Sequence, residues 1–139
     1  MEEFYSVIRK KLGLLKRKKV DGFNYLLPLV ETLPLKHQAY ILATAWHETA
    51  GTLQPIEEYG RGKGKPYGVP VGPFHKRYYG RGYVQLTWER NYKNAGVILD
   101  LPLHQHPELA LDPKVAALIL IRGMQEGWFT GKKLDDYGS

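Results

Sequence analysis

Glu48 ends an apolar, helix-like stretch. Glu57 and Glu58 follow it closely, and a turn rich in Gly, Tyr, Gln and Thr comes behind them. The strings are Trp46-His47-Glu48-Thr49-Ala50-Gly51, Glu57-Glu58-Tyr59-Gly60 and Tyr78-Tyr79-Gly80-Arg81-Gly82-Tyr83-Val84-Gln85-Leu86-Thr87-Trp88. Two carboxylates in different surroundings are what hydrolysis of a glycosidic bond requires. One protonates the leaving oxygen, and the other activates water or attacks carbon. Glu48, beside Trp46 and at the negative end of a helix dipole, suits the acid. Glu57 or Glu58, in a glycine-rich and solvated loop, suits the base. Gln85 and Thr87 offer neutral hydrogen bonds to a water and a sugar, and Tyr59, Tyr78, Tyr79 and Trp88 offer flat faces for pyranose rings. The same residues also read as a capped helix followed by a polar loop.

Other chemistries fit less well. His47-Glu48 begins like a zinc-protease helix, but that motif needs a second His four residues after the first, and position 51 is Gly. His104 and His106 flank Gln105 in a Leu/Pro-rich connection, where packing or capping is a simpler role than metal binding. The segment 60–68 is glycine-rich and basic but lacks the Gly-Lys-Ser/Thr ending of a phosphate loop. Ser6 and Ser139 are the only serines, and neither sits in a nucleophile elbow. The absence of cysteine removes disulfides, thiolate metal sites and thiol nucleophiles.

Positioning these groups falls to a set of helices. Phe4, Ile8, Leu12 and Leu15 recur at helical spacing, which predicts a helix over 3–16. Asp21 is placed to cap a short helix over 23–30, with Pro28 kinking it or lying early in it. Pro34 opens a stronger helix over 35–50, whose Ala39, Leu42, Ala43, Trp46 and Ala50 share a face. Glycines through 51–79 predict a wide, mobile surface loop. Thr87 is placed to cap a helix over 88–99. Asp112-Pro113 starts another helix running to about Glu126, and Thr130 looks like the cap of one more. The expected fold is one mainly α domain over 1–139 with little or no sheet.

With 139 residues and 43% hydrophobic content, the chain can bury a modest core. Net charge is +6, and Arg9, Lys10, Lys11, Lys16, Arg17, Lys18 and Lys19 crowd residues 1–19 against Glu2 and Glu3. Such a basic, amphipathic N-terminal helix favours an anionic wall or membrane surface. A nucleic-acid partner is not expected, because no recognition motif accompanies the charge. The N-terminus lacks a signal-peptide pattern, so the expectation is synthesis in the cytoplasm and action at the cell wall after release.

Three strings resemble glycoside hydrolase family 19, in particular its bacterial and phage chitinase-like lysozymes and endolysins. They are Ala45-Trp46-His47-Glu48-Thr49-Ala50-Gly51, Gln54-Pro55-Ile56-Glu57-Glu58-Tyr59-Gly60 and Tyr78-Tyr79-Gly80-Arg81-Gly82-Tyr83-Val84-Gln85-Leu86-Thr87. The likeness continues through Asn91-Tyr92, Asp112-Pro113 and Gly127-Trp128-Phe129-Thr130-Gly131-Lys132-Lys133-Leu134, so that it spans about 36–137. It implies a lysozyme-like, two-lobed helical domain with a central cleft. It also implies inverting hydrolysis of β-1,4 bonds beside N-acetylglucosamine, with no cofactor or metal. By the resemblance, Glu48 matches the acid. Glu58, which precedes Tyr-Gly, is preferred to Glu57 as the base. Gln85 and Thr87 match sugar- and water-holding positions, and His47 and Arg81 match supporting ones. Glu57, Tyr59, Tyr79 and Trp88 complete the expected substrate-binding set.

The resemblance also carries a departure. Family members usually continue past the equivalent of Tyr137 with an Asn-Gly-Gly segment and an Arg-containing helix that completes the cleft. This sequence reaches Ser139 with neither. The expectation is a C-terminally truncated cleft, completed by self-association or by a partner chain. The expected substrate is bacterial peptidoglycan. Chitin-type polymers, or a non-catalytic wall-binding remnant, are the alternatives.

Overall fold

The computed structural model describes residues 3–4, 6–8 and 17–129. Residues 3–4 and 6–8 are helical, while most of the expected basic helix and the segment from Thr130 lie outside the described residues. Helix α1 spans Arg17–Val30, with Phe23, Leu26, Leu27 and Val30 buried along one stripe. It starts earlier than the sequence suggested, so Asp21 lies inside the helix rather than capping it. Pro28 lies on the exposed side of its last turn.

Helix α2, Leu35–Glu48, buries Gln38, Ile41, Leu42 and Ala45. Its inward face is thus rotated from the expected one: Ala39 and Ala43 are exposed and Trp46 is half-buried. The helix stops two residues early because Thr49 caps it. The buried Thr49 hydroxyl donates to the Ala45 carbonyl at 2.6 Å and accepts from the Leu53 amide at 3.0 Å. Ala50 and Gly51 then turn the chain away at positive φ. Glu48 is left as the last helical residue, with its side chain exposed.

Strand β1, Ile56–Glu57, pairs antiparallel with β2, Arg81–Gly82; Ile56 faces Gly82 and Glu57 faces Arg81. Between the strands, 58–80 is not a loose loop. Arg61, Lys63, Lys65 and Gly68 donate backbone hydrogen bonds to Glu58, Gly60, Gly62 and Lys65 in a succession of turns. Val71 and Lys76 form a bridge, and the Tyr78 amide reaches back to the Tyr67 carbonyl at 3.2 Å. Glycines at positive φ, among them Gly60, Gly62, Gly64 and Gly72, let this tongue fold on itself.

Helix α3 covers Glu89–Leu99, preceded by Trp88 at φ 78°. Thr87 does not cap it; its hydroxyl donates to the Gln85 carbonyl at 2.7 Å. Helix α4, Pro113–Glu126, starts as expected, with Asp112 Oδ1 accepting from the amides of Lys114 and Val115. Gly127, in the left-handed region, ends it.

Two hydrophobic clusters meet along α4. Ala116, Ala117 and Leu120 pack with the α1 and α2 residues and Tyr83. Ile119 packs with Tyr78, Leu86, Tyr92, Ala95, Leu103 and Ala110. The fold is mainly helical with one two-stranded sheet, as expected. One cluster carries α2 and the other carries α3, so the gap between those helices is where a site opens.

Candidate active site

That gap is an open cleft of about 570 Å³. Helix α2 contributes Thr44 and Glu48, one turn apart, and α3 contributes Asn91, Asn94, Ala95 and Ile98 from one face. Val84 to Trp88 line the cleft between the helices, and Trp128 and Phe129 also line it. Of the residues singled out in the sequence, Glu48, Gln85, Thr87 and Trp88 therefore share one cavity. Thr44 and Asn94 escaped a motif-centred reading, and Asn91 entered it only as part of the family likeness, without a role. Their signal was the i, i+4 step to Glu48 and the 91-94-95-98 helical spacing.

Gln85 and Trp88 hold positive φ values of 57° and 78°, conformations that cost non-glycine residues about 1–3 kcal/mol each. Surrounding hydrogen bonds hold them there. Gln85 Nε2 donates to the Ile56 carbonyl at 2.9 Å and to the Gly82 carbonyl at 3.1 Å. The Trp88 amide donates to the Tyr78 carbonyl at 2.8 Å. With its amide nitrogen committed, Gln85 offers Oε1 as an acceptor. Thr87, whose proton goes to the Gln85 carbonyl, likewise has an oxygen able to accept.

Glu58 stands behind Gln85. Its Oε1 accepts from the Gly80 amide at 2.7 Å and its Oε2 from the Tyr67 hydroxyl at 3.0 Å. Partial burial, then the Glu58 hydrogen bond and charge, raise the Tyr67 hydroxyl above its usual value, so it remains a donor. A Cβ on Gly80 would lie 2.8 Å from Gln85 Oε1 and 3.2 Å from Glu58 Cβ. Glycine is thus the thin partition that lets the two side chains approach. Glu57 points elsewhere: its Oε2 pairs with Arg61 Nε at 2.8 Å and its Oε1 accepts from the Tyr79 hydroxyl at 3.3 Å.

Several expected sugar-facing residues are otherwise engaged. Tyr78 and Tyr79 are buried because their backbones lie between the tongue and the 86–88 segment. Tyr78 packs on Tyr92 and His104, and the Arg81 guanidinium lies 3.7 Å from the Tyr79 ring centroid. Arg81 is buried and donates to the Arg77 carbonyl and the Tyr92 hydroxyl, both at 3.1 Å, so it braces the strand instead of facing the cleft. His47 and Tyr59 are exposed and do not line the cleft. Trp88 keeps an exposed face while Tyr67 meets its ring edge-on at 5.1 Å. Glu48, expected to be partly desolvated by Trp46, is exposed, since the helix ends at that residue. His104 pairs with Glu89 at 2.9 Å and packs on Phe74.

No family model matches the chain. Individual proteins do. Endochitinase At2g43620 of Arabidopsis thaliana is 41% identical over 88 residues, covering 61% of this chain and 30% of that protein. Chitinase C from Streptomyces griseus HUT6037 aligns over 76% of this chain and 46% of its own, with a TM-score of 0.53 and 29% identity. A bacterial family 19 chitinase aligns over 76% of this chain and 57% of its own, with a TM-score of 0.51 and 30% identity. The chain is thus similar to family 19 chitinases in both sequence and fold. It spans under a third of the curated relative and about half of each solved chitinase. The cleft between α2 and α3, with Glu48 at its edge, lies on a helical fold similar to that of these chitinases.

Proposed function

We propose that this chain carries the acid, base and water-holding groups of a glycoside hydrolase that cleaves β-1,4 bonds of chitin-type N-acetylglucosamine polymers. The observation that carries the reading is the shared cleft: exposed Glu48 on α2 opens onto the same cavity as the acceptors of Gln85 and Thr87. In the reaction, Glu48 gives its proton to the glycosidic oxygen as the carbon–oxygen bond breaks. Glu58 takes a proton from water as that water attacks the anomeric carbon from the opposite face, which inverts the centre. Glu58 does not itself line the cleft; it stands behind Gln85 across Gly80, so in this reading the water held at Gln85 is the link between the cleft and Glu58. Glu57, held by Arg61, is the weaker candidate for the base.

Chitin takes precedence over the peptidoglycan first expected, because the relatives are named as chitinases and an endochitinase. Peptidoglycan remains the second reading, supported by the net charge of +6, which suits an acidic polymer. The test is mass spectrometry of fragments released from chitin hexamer and from purified peptidoglycan, by the protein and by Glu48→Gln. Shorter oligomers from the hexamer with wild type alone, their new reducing ends α by proton NMR taken before mutarotation, support the proposal. Release from peptidoglycan alone moves the assignment to the second reading. No release from either polymer by the folded protein rejects both.

A further inference from the structure

The tongue that holds Tyr67 is as distinctive in charge as in shape. Residues 59–79 carry Arg61, Lys63, Lys65, Lys76 and Arg77 and no Asp or Glu, whereas acidic residues make up about one in ten of the whole chain. Arg61 is committed to Glu57. Lys63, Lys65 and Arg77 are exposed, and among the described residues no carboxylate is recorded opposite them. The fold gathers these cations. Lys63 and Lys65 lie in consecutive turns of 60–68, and Arg77 Nε donates to the Gly68 carbonyl at 3.1 Å, tying the far limb of the tongue to those turns. Tyr59, fully exposed, adds an aromatic face at the base of the tongue.

The tongue also adjoins the cleft. Tyr67 packs its ring against Trp88, which lines the cleft, and gives its hydroxyl to Glu58. A glycan leaving the cleft over Trp88 therefore passes next to the part of the tongue that carries Lys63, Lys65 and Arg77, while the acidic groups near the tongue, Glu57, Glu58 and Glu89, are engaged with Arg61, Tyr67 and His104. Neutral chitin offers such a surface hydrogen-bond acceptors but no anion.

We infer that the tongue is an anion-binding extension of the cleft, and that it recognises carboxylate groups carried as substituents on a β-1,4 N-acetylglucosamine-containing glycan. This rests on the reading of the cleft as a glycan site. The sugar backbone is held between α2 and α3, while Lys63, Lys65 and Arg77 attract the carboxylates of substituents beyond Trp88. The tongue then sets preference among polymers without touching the reacting bond, and its contribution falls with salt because its charges are exposed.

The experiment compares binding of three probes by titration calorimetry: chitin hexamer, peptidoglycan glycan strands that retain their stem peptides, and a DNA duplex. Each is measured with wild type, the double variant Lys63→Gln/Lys65→Gln, and Lys114→Gln on α4 as a control for net charge. The expected result is a loss of about fivefold in affinity for the carboxylated strands in the double variant, the order of two exposed ion pairs. Hexamer affinity stays constant, and Lys114→Gln behaves as wild type. In wild type, affinity for the strands falls as ionic strength rises from about 0.01 to about 0.1 M, where the screening length shrinks from about 30 to about 10 Å. Equal affinity of wild type and double variant for the strands overturns the inference, as does a matching loss on the hexamer. Absence of strand binding overturns it too, and so does tight DNA binding with no glycan binding. Cleavage of the hexamer, scored separately, reports on the cleft alone, so the two readings fail independently.

Discussion

Arg81 donates from Nη1 to the Tyr92 hydroxyl at 3.1 Å, and both side chains are buried. The Tyr92 hydroxyl in turn donates to the Tyr79 carbonyl at 2.5 Å, so the pair locks the backbone one residue before the Gly80 amide that holds Glu58. The candidate base is thus oriented from the second cluster, through α3, although it sits beside the first strand. Tyr92→Phe keeps the ring and deletes both contacts. It leaves the Tyr79 carbonyl and a buried guanidinium short of a partner, a loss of about 1–3 kcal/mol. The expected outcome is a lower denaturant midpoint, together with a fall in kcat that exceeds any change in KM. Tyr78→Phe removes a buried hydroxyl bonded to the His104 carbonyl instead. It should cost comparable stability and leave kcat nearly intact; equal kcat losses in the two variants would refute the link to Glu58.

The carboxylates themselves separate by substitution. Glu48→Gln removes the proton donor from an exposed helix end, so turnover of chitin hexamer should drop by about 10²–10⁴-fold. Melting should barely move, because surface changes away from caps and cores stay within about 0.5 kcal/mol. Glu58→Gln should match that loss, and Glu57→Gln should not, since Glu57 faces Arg61 and Tyr79. Kinetics of the three variants on the same oligomer decide the base, and a larger loss at Glu57 would exchange the assignments.

Gly22 offers a test of packing in which two effects have opposite signs. Inside a helix, Gly→Ala is ordinarily worth about 1 kcal/mol of stabilisation. Here a Cβ would fall 2.0 Å from the Leu53 carbonyl oxygen, which is backbone that follows the Thr49 cap of α2. Relieving that overlap means moving α1 from the segment that leads to β1, a strain of about 1–3 kcal/mol or more. Gly22→Ala is therefore expected to lower the melting temperature. A rise would mean that α1 and Leu53 are less closely apposed.

The parts of this molecule legible in sequence are those set by local chemistry. Asp112-Pro113 gave its helix start directly, since the cap and the proline act within one turn. The trio Glu48, Gln85 and Thr87 was legible as motif, and the fold brings it to one cleft. The inward face of α2 was not legible: alanines at 39 and 43 fit the helical period as well as Gln38 and Ala45 do, and only packing against α1 and α4 selects between them. The folded form of the tongue was not legible because its hydrogen bonds join residues such as Tyr67 and Tyr78, which no local pattern pairs. Tyr78 and Tyr79 were read as sugar platforms for a similar reason. Ring faces are equally suited to a sugar and to Arg81 or His104, and the choice is made by contacts distant in sequence.

Alkaline unfolding should report the buried tyrosines. Burial is the main cause that raises the hydroxyls of Tyr83, Tyr92 and Tyr78 above the ordinary 10.0; at Tyr83 the neighbouring Tyr25 adds to it, and at Tyr92 the Arg81 charge opposes it. A group whose folded value is raised binds its proton more tightly in the folded state. Its contribution is complete below the unfolded value and declines as pH rises toward and through the folded one. Stability should therefore hold up to about pH 10 and fall above it, with tyrosinate absorbance from these rings appearing together with loss of helix. Denaturant midpoints on either side of that pH, followed by absorbance and circular dichroism, provide the check. Tyr92→Phe and Tyr83→Phe should each flatten the fall. Ionisation of all ten tyrosines before any loss of helix would mean that these hydroxyls are open to solvent.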